Sequence, residues 1–135
     1  MSRSAALPQV PFTYPSAVES PVVLCVDDDP EILELLEDVL TACGLRPICT
    51  TDCQLALRLS ASEPIDVAVL DYHMPEMDGV TLAEAMRASK PDLPMILFSG
   101  APLPLEALAT VSHVVHKREG AMRLADTVLA FVRER

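Results

Sequence analysis

From Pro21 onward the chain alternates short apolar runs with amphipathic stretches, the pattern of repeated βα units around a mostly parallel sheet. Val22-Val23-Leu24-Cys25-Val26 is the first run and reads as a strand. Asp29 then offers an N-cap and Pro30 a first helical position. Ile32, Leu33, Leu36, Val39 and Leu40 form an apolar stripe that stops at Gly44. Residues 45–50 read as a second, shorter strand, and Pro47 suits a sheet edge because proline cannot donate to a ladder. Asp52 is placed to cap the next helix, which Glu63-Pro64 ends. Residues 65–70 follow as a near-continuous buried strand of parallel type. A loop through Asp78-Gly79 leads to a helix over 80–88, and residues 95–98 make a fourth strand closed by Ser99-Gly100. A proline-rich stretch holding one short helix over 105–110 precedes a fifth strand, His113-Val114-Val115-His116. The last helix covers 121–132, with Leu124, Val128, Leu129 and Val132 on one face.

Five strands interleaved with helices give an α/β fold, an open doubly wound five-stranded parallel sheet with helices on both faces. In such a fold, functional groups gather just beyond the carboxyl ends of the strands. A length of 135 residues fits one core, and an apolar share of 50% is enough to fill it. Residues 1–21 hold four of the twelve prolines and two charges, Arg3 and Glu19, so they read as a flexible N-terminal leader to a domain over 22–135. A formal charge of -10 argues against nucleic-acid binding, and no apolar run approaches the ~18 residues of a membrane span. The chain reads as soluble and cytoplasmic. Cys25, Cys43, Cys49 and Cys53 form no CxxC pair and have no matching histidine spacing, which disfavours zinc and a disulfide framework. They read first as small buried apolar groups and second as redox sensors.

The strand ends carry the chemistry. Asp27, Asp28 and Asp29 follow the first strand, Asp71 the third, Ser99 the fourth and Lys117 the fifth, so the fold gathers them at one edge. Carboxylates brought together repel one another unless a cation sits among them, and all-oxygen donors select magnesium or manganese. Asp29 reads as a helix cap. For Asp27 and Asp28 a merely solvated acid cluster is the weaker reading, since a lysine and a hydroxyl arrive at the same edge from distant strands. A carboxylate such as Asp71 can attack a phosphoryl group when cations neutralise the phosphoryl oxygens, and Lys117 and Ser99 are suited to hold the product.

Val26-Asp27-Asp28-Asp29-Pro30, Leu70-Asp71-Tyr72-His73-Met74-Pro75-Glu76-Met77-Asp78-Gly79, Ser99-Gly100-Ala101 and Lys117 together resemble the receiver domains of two-component response regulators, over residues 22–135. The resemblance implies the flavodoxin-like strand order 2-1-3-4-5. It implies that Asp71 is the phosphoacceptor, and that Asp28, Asp71 and the backbone carbonyl of His73 ligate Mg2+ or Mn2+, with Asp27 acting through a water. Ser99 becomes the switch hydroxyl and Lys117 the cation paired with the phosphoryl group. Met74, Pro75 and Gly79 shape the loop, the glycine for backbone conformation. His73 and Ala101 occupy positions that tune phosphoryl lifetime.

Three features depart from the family. Val114 stands where an aromatic residue is usual. Arg118 stands where proline usually follows the lysine in a cis peptide, a geometry that costs ~3–4 kcal/mol without proline. The segment from Ser99 to Lys117 is also short, with Pro102 and Pro104 interrupting the start of its helix. His113 and His116, three apart on a strand, fall on opposite faces, one packed and one solvated.

The resulting expectation is a phosphorylation-dependent switch or relay. It would not be a turnover enzyme, and would catalyse only its own aspartyl phosphorylation and dephosphorylation. A histidine kinase or histidine phosphotransfer protein acts upstream and an unknown protein target is read downstream. No nucleic acid or membrane is involved, and the chain is a monomer or weak dimer. The alternatives are a phosphorylation-independent receiver-like adaptor and a haloacid-dehalogenase-type phosphatase using the Asp27-x-Asp29 spacing.

Overall fold

The structure, a computed structural model, describes residues 20–133. Residues 1–19, most of the expected leader, lie outside the described residues. The strands are β1 (Val22–Val26), β2 (Arg46–Thr50), β3 (Val67–Leu70), β4 (Met95–Ser99) and β5 (His113–His116). The helices are α1 (Pro30–Ala42), α2 (Cys53–Ser62), α3 (Gly79–Ser89), α4 (Leu105–Thr110) and α5 (Ala121–Arg133). All neighbouring strands run parallel, in the order β2-β1-β3-β4-β5. The doubly wound 2-1-3-4-5 sheet is thus the observed fold, with Pro47 on the edge strand opposite Val23.

Alternation along each strand sorts the core into two layers. Val22, Leu24 and Val26 face α2, α3 and α4, where Ala56, Leu82, Met86 and Ala107 meet Leu70 and Leu97. Val23 and Cys25 face α1 and α5, where Leu36, Leu40, Leu124 and Val128 meet Val69, Ile96 and Phe98. Each such large side chain, fully buried, contributes on the order of 1.5–3 kcal/mol.

The caps lie where the sequence puts them. Asp29 accepts from the Glu31 N–H at 3.0 Å, and Asp52 accepts from Gln54 and Leu55 at 2.9 and 3.2 Å. Boundaries differ by a residue or two. The third strand starts at Val67 rather than 65, because Asp66 is tied to Val22 at the strand entry: its N–H donates to the Val22 carbonyl at 2.9 Å and its carboxylate accepts the Val22 N–H at 2.7 Å. A single 3₁₀ turn, Lys117–Glu119, follows β5.

Candidate functional site

The register of the sheet builds the site. Val26 and Leu70 are partners on β1 and β3, so the residues that follow them, Asp27 and Asp71, leave the sheet side by side. The Asp71 N–H donates to the Val26 carbonyl at 2.9 Å, which fixes this junction. Asp27 is buried, at 2% exposure, and is held from two sides. Its Oδ1 accepts the Asp29 N–H at 2.9 Å, while its Oδ2 takes the Lys117 ammonium at 2.8 Å. Lys117 Nζ also lies 3.4 Å from Asp71 Oδ1, so one ammonium bridges two buried carboxylates.

Asp28 is exposed, yet ligand atoms of Asp27, Asp28 and Asp71 all lie within 4.8 Å of one another. Three carboxylates therefore face one ammonium. The electrostatics carry that imbalance. Burial and then the Asp27 charge push the Asp71 carboxyl up to about 6, against the pull of Lys117. Burial opposes the Lys117 charge, but the hydrogen bond and charge of Asp27, followed by Asp71, raise its pKa above the ordinary lysine value. Excess negative charge, oxygen-only donors and a solvent-facing carboxylate fit a hard divalent cation such as magnesium or manganese.

The Lys117 position depends on the 3₁₀ turn, an element that no periodicity in the sequence marks. Gly120 at φ +95° returns its N–H to the Lys117 carbonyl at 3.0 Å, and Glu119 Oε2 accepts the His116 N–H at 2.9 Å. The signal was available in Glu119-Gly120, an acceptor and a glycine just before a helix. The described residues contain no cis peptide bond, so the Lys117–Arg118 bond is trans. Asp78 is the last residue of the loop before α3. It caps α3, accepting the Thr81 N–H at 2.8 Å.

Gly79 requires a correction of cause. Its φ is not positive, so backbone freedom is not what it supplies. A Cβ there would stand 2.3 Å from the Asp71 carbonyl oxygen and 2.9 Å from Leu97, so the position is glycine because α3 begins against the Asp71 backbone. The Gly79 N–H donates to the Tyr72 carbonyl at 2.8 Å and closes the loop. Within that loop, the Met74 sulfur lies 3.9 Å from the Cys53 sulfur, Pro75 is exposed, and the exposed His73 ring packs edge-on to Tyr72 at 4.7 Å.

Ser99 ends β4 and is fully buried, but its hydroxyl is engaged with its own loop. Oγ donates to the Ala101 carbonyl and accepts the Ala101 N–H, both at 3.2 Å. A cavity of about 270 Å³ opens there, lined by Ser99, Ala101, Pro102, His116 and Arg118. The structure thus unites Asp27, Asp28, Asp71 and Lys117, and leaves the Ser99 hydroxyl turned to Ala101. Val114 packs against the α2–α3 core layer. His113 is exposed beside Phe131, at 6.5 Å between rings, and His116 is half-buried.

The family model described as the response regulator receiver domain matches residues 23–126. The transcriptional regulatory protein PrrA of Mycobacterium tuberculosis is 39% identical over 84 residues, 62% of this chain and 36% of PrrA. The sensor histidine kinase GacS of Pseudomonas protegens is 34% identical over 99 residues, 73% of this chain and 10% of GacS. The chain therefore spans about a third or less of these relatives. Among solved structures, the Thermotoga maritima response regulator TrrA, in complex with Mg2+ and BeF, superposes with a TM-score of 0.76 at 26% identity, covering 82% of this chain and 98% of that one. Among the described residues, no helix is long and apolar enough to cross a membrane.

Proposed function

Because the chain belongs to the response regulator receiver domain family, we propose that it works as a phosphorylation-dependent switch or relay with Asp71 as the phosphoacceptor. The observation that carries this reading is the Lys117 ammonium bridging Asp27 and Asp71 at 2.8 and 3.4 Å. An Asp71 oxygen attacks the phosphorus of a phosphohistidine on a sensor kinase or phosphotransfer protein. The P–N bond breaks, a P–O bond forms, and the departing imidazole keeps the nitrogen electron pair and takes a proton from water. Lys117 then shifts its partnership from the carboxylate to a phosphoryl oxygen, and Ser99 trades its Ala101 partners for another oxygen.

Asp28, Asp71 and the His73 backbone carbonyl would hold a magnesium or manganese ion, with Asp27 assisting through a water. The ion would supply positive charge to neutralise the phosphoryl oxygens. His73 and Ala101 flank the site on the loops after β3 and β4, where they control how water reaches the acyl phosphate. Output is by protein contact.

The test is intact mass after incubation with a small phosphoryl donor and magnesium, for wild type and Asp71→Asn. One phosphoryl adduct on wild type, dependent on magnesium and absent from the variant, is the expected result. No adduct with either that donor or a phosphorylated histidine protein rejects the reading. Val114 and the trans Lys117–Arg118 bond favour one second reading, a receiver-like adaptor that binds partners without phosphorylation. The Asp29 carboxylate caps the α1 N-terminus, which weighs against the phosphatase alternative.

A further inference from the structure

The function above leaves the cysteines unused, and the sheet has paired two of them. Cys25 on β1 and Cys49 on β2 are register partners in adjacent parallel strands. Neighbouring strands run about 4.7–4.9 Å apart, inside the roughly 4.4–6.8 Å span between Cα atoms that a disulfide bridges. In-register parallel residues point to the same face, so both side chains project toward α1, where both belong to one packed layer. Their environments are unequal. Cys25 is fully buried, whereas Cys49 lies on the edge strand, is half-buried, and sits 3.8 Å from the Leu33 carbonyl.

We propose that Cys25 and Cys49 form a peroxide-responsive dithiol on the β1–β2 seam, in which Cys49 is the thiol oxidised and Cys25 the thiol that resolves it. The Cys49 thiolate attacks a hydroperoxide oxygen, the O–O bond breaks, and the sulfur becomes a sulfenic acid as hydroxide or alkoxide leaves. Cys25 sulfur then attacks the Cys49 sulfur. The S–O bond breaks and the oxygen departs as water, taking the Cys25 proton, so two thiols lose two electrons to one peroxide. The asymmetry suits these roles. The thiol at the more accessible position meets peroxide first, and the buried neighbour meets only its product.

The other two cysteines have different surroundings. Cys43 caps the end of α1, and Cys53 is buried beside Met74 with its thiol pushed up to about 11 by burial and Glu76. The linked strands lead straight into the acidic site. Thr50, next after Cys49, accepts the Asp27 N–H at 3.4 Å, two residues beyond Cys25. The inference itself rests on the seam alone, and holds whether or not Asp71 is phosphorylated.

The experiment treats the reduced full chain with hydrogen peroxide, raised until the exposed Met122 is oxidised, and maps peptides without reduction. Oxidation of Met122, 59% exposed, shows that the dose was sufficient. The expected product has lost two hydrogen atoms and yields a Cys25–Cys49 linked peptide. In Cys25→Ala the linkage is gone and a dimedone-trapped sulfenic acid appears at Cys49, while Cys43→Ala behaves as wild type. A circular dichroism spectrum unchanged from wild type confirms that each variant is folded. A linkage through Cys43, or reduced Cys25 and Cys49 once Met122 is oxidised, overturns the proposal. So does sulfinic acid at Cys49 with Cys25 left free.

Discussion

Asp71 holds its proton more tightly in the fold than in the unfolded chain, since burial and Asp27 raise it from 3.8 to about 6. For a carboxyl raised on folding, the stabilising contribution is fully present below the unfolded value and is lost as pH rises through the folded one. In chelator, Asp71→Asn is therefore expected to melt higher than wild type at about pH 8, by roughly 1 kcal/mol of stability, and to show little advantage below about pH 4. The modest figure reflects screening by water at the open side, where Asp28 is exposed. A thermal melt of both proteins at the two pH values decides it; a variant that melts lower at about pH 8 would show Lys117 outweighing the repulsion. Gly79 gives a second residue-scale test. Its missing Cβ leaves room for the Asp71 carbonyl, so Gly79→Ala is expected to cost about 2 kcal/mol in denaturant unfolding and to slow phosphorylation as the Asp71 backbone moves. The glycine was visible in the sequence but its reason was not. A close approach between residues 71 and 79 belongs to three dimensions, whereas a turn glycine is read from neighbours along the chain.

Among the elements, those with a strong period and a marked end are legible in the sequence. β1 and α1 follow from a run of five apolar residues, a capping aspartate and a Pro at the first helical position. The 3₁₀ turn at Lys117–Glu119 is not, because one turn of three residues carries no period. Its maker is a carboxylate that reaches back to a strand-end N–H. Helix α4 is the weak element. It has six residues, no side-chain cap and one buried residue, Ala107, while Leu105 stands 81% exposed. Six residues cannot sustain a helix without packing, and this packing is thin. Hydrogen–deuterium exchange is expected to show α4 amides exchanging at least about tenfold faster than those of α1 or α5, which bury three and four residues. Equal protection would mean that α4 opens only with the whole sheet.

Across the whole molecule, a chain of net charge -10 concentrates three carboxylates where the sheet ends and supplies one ammonium to meet them. That lysine comes from the far edge of the sheet, so the charge balance at the site couples β1 and β3 to the turn after β5. Asp27 is buried with Lys117 as its short ion-pair partner, and removing one member of such a pair leaves an uncompensated charge worth roughly 3–5 kcal/mol in a dry interior. Here Lys117 keeps 22% of its side-chain surface, so Lys117→Gln is expected to cost about 2 kcal/mol in chelator. A divalent ion that binds only the folded chain adds stability by mass action, about 1.4 kcal/mol for each tenfold excess over its dissociation constant. With the ammonium gone, the same carboxylates are expected to bind that ion more tightly. Magnesium is therefore expected to raise the melting temperature of Lys117→Gln by more than that of wild type, recovering part of the loss. Equal shifts in the two proteins would place the ion away from Asp27 and Asp71, and would separate the cation site from the ion pair that joins the interior strand β1 to the turn after the edge strand β5.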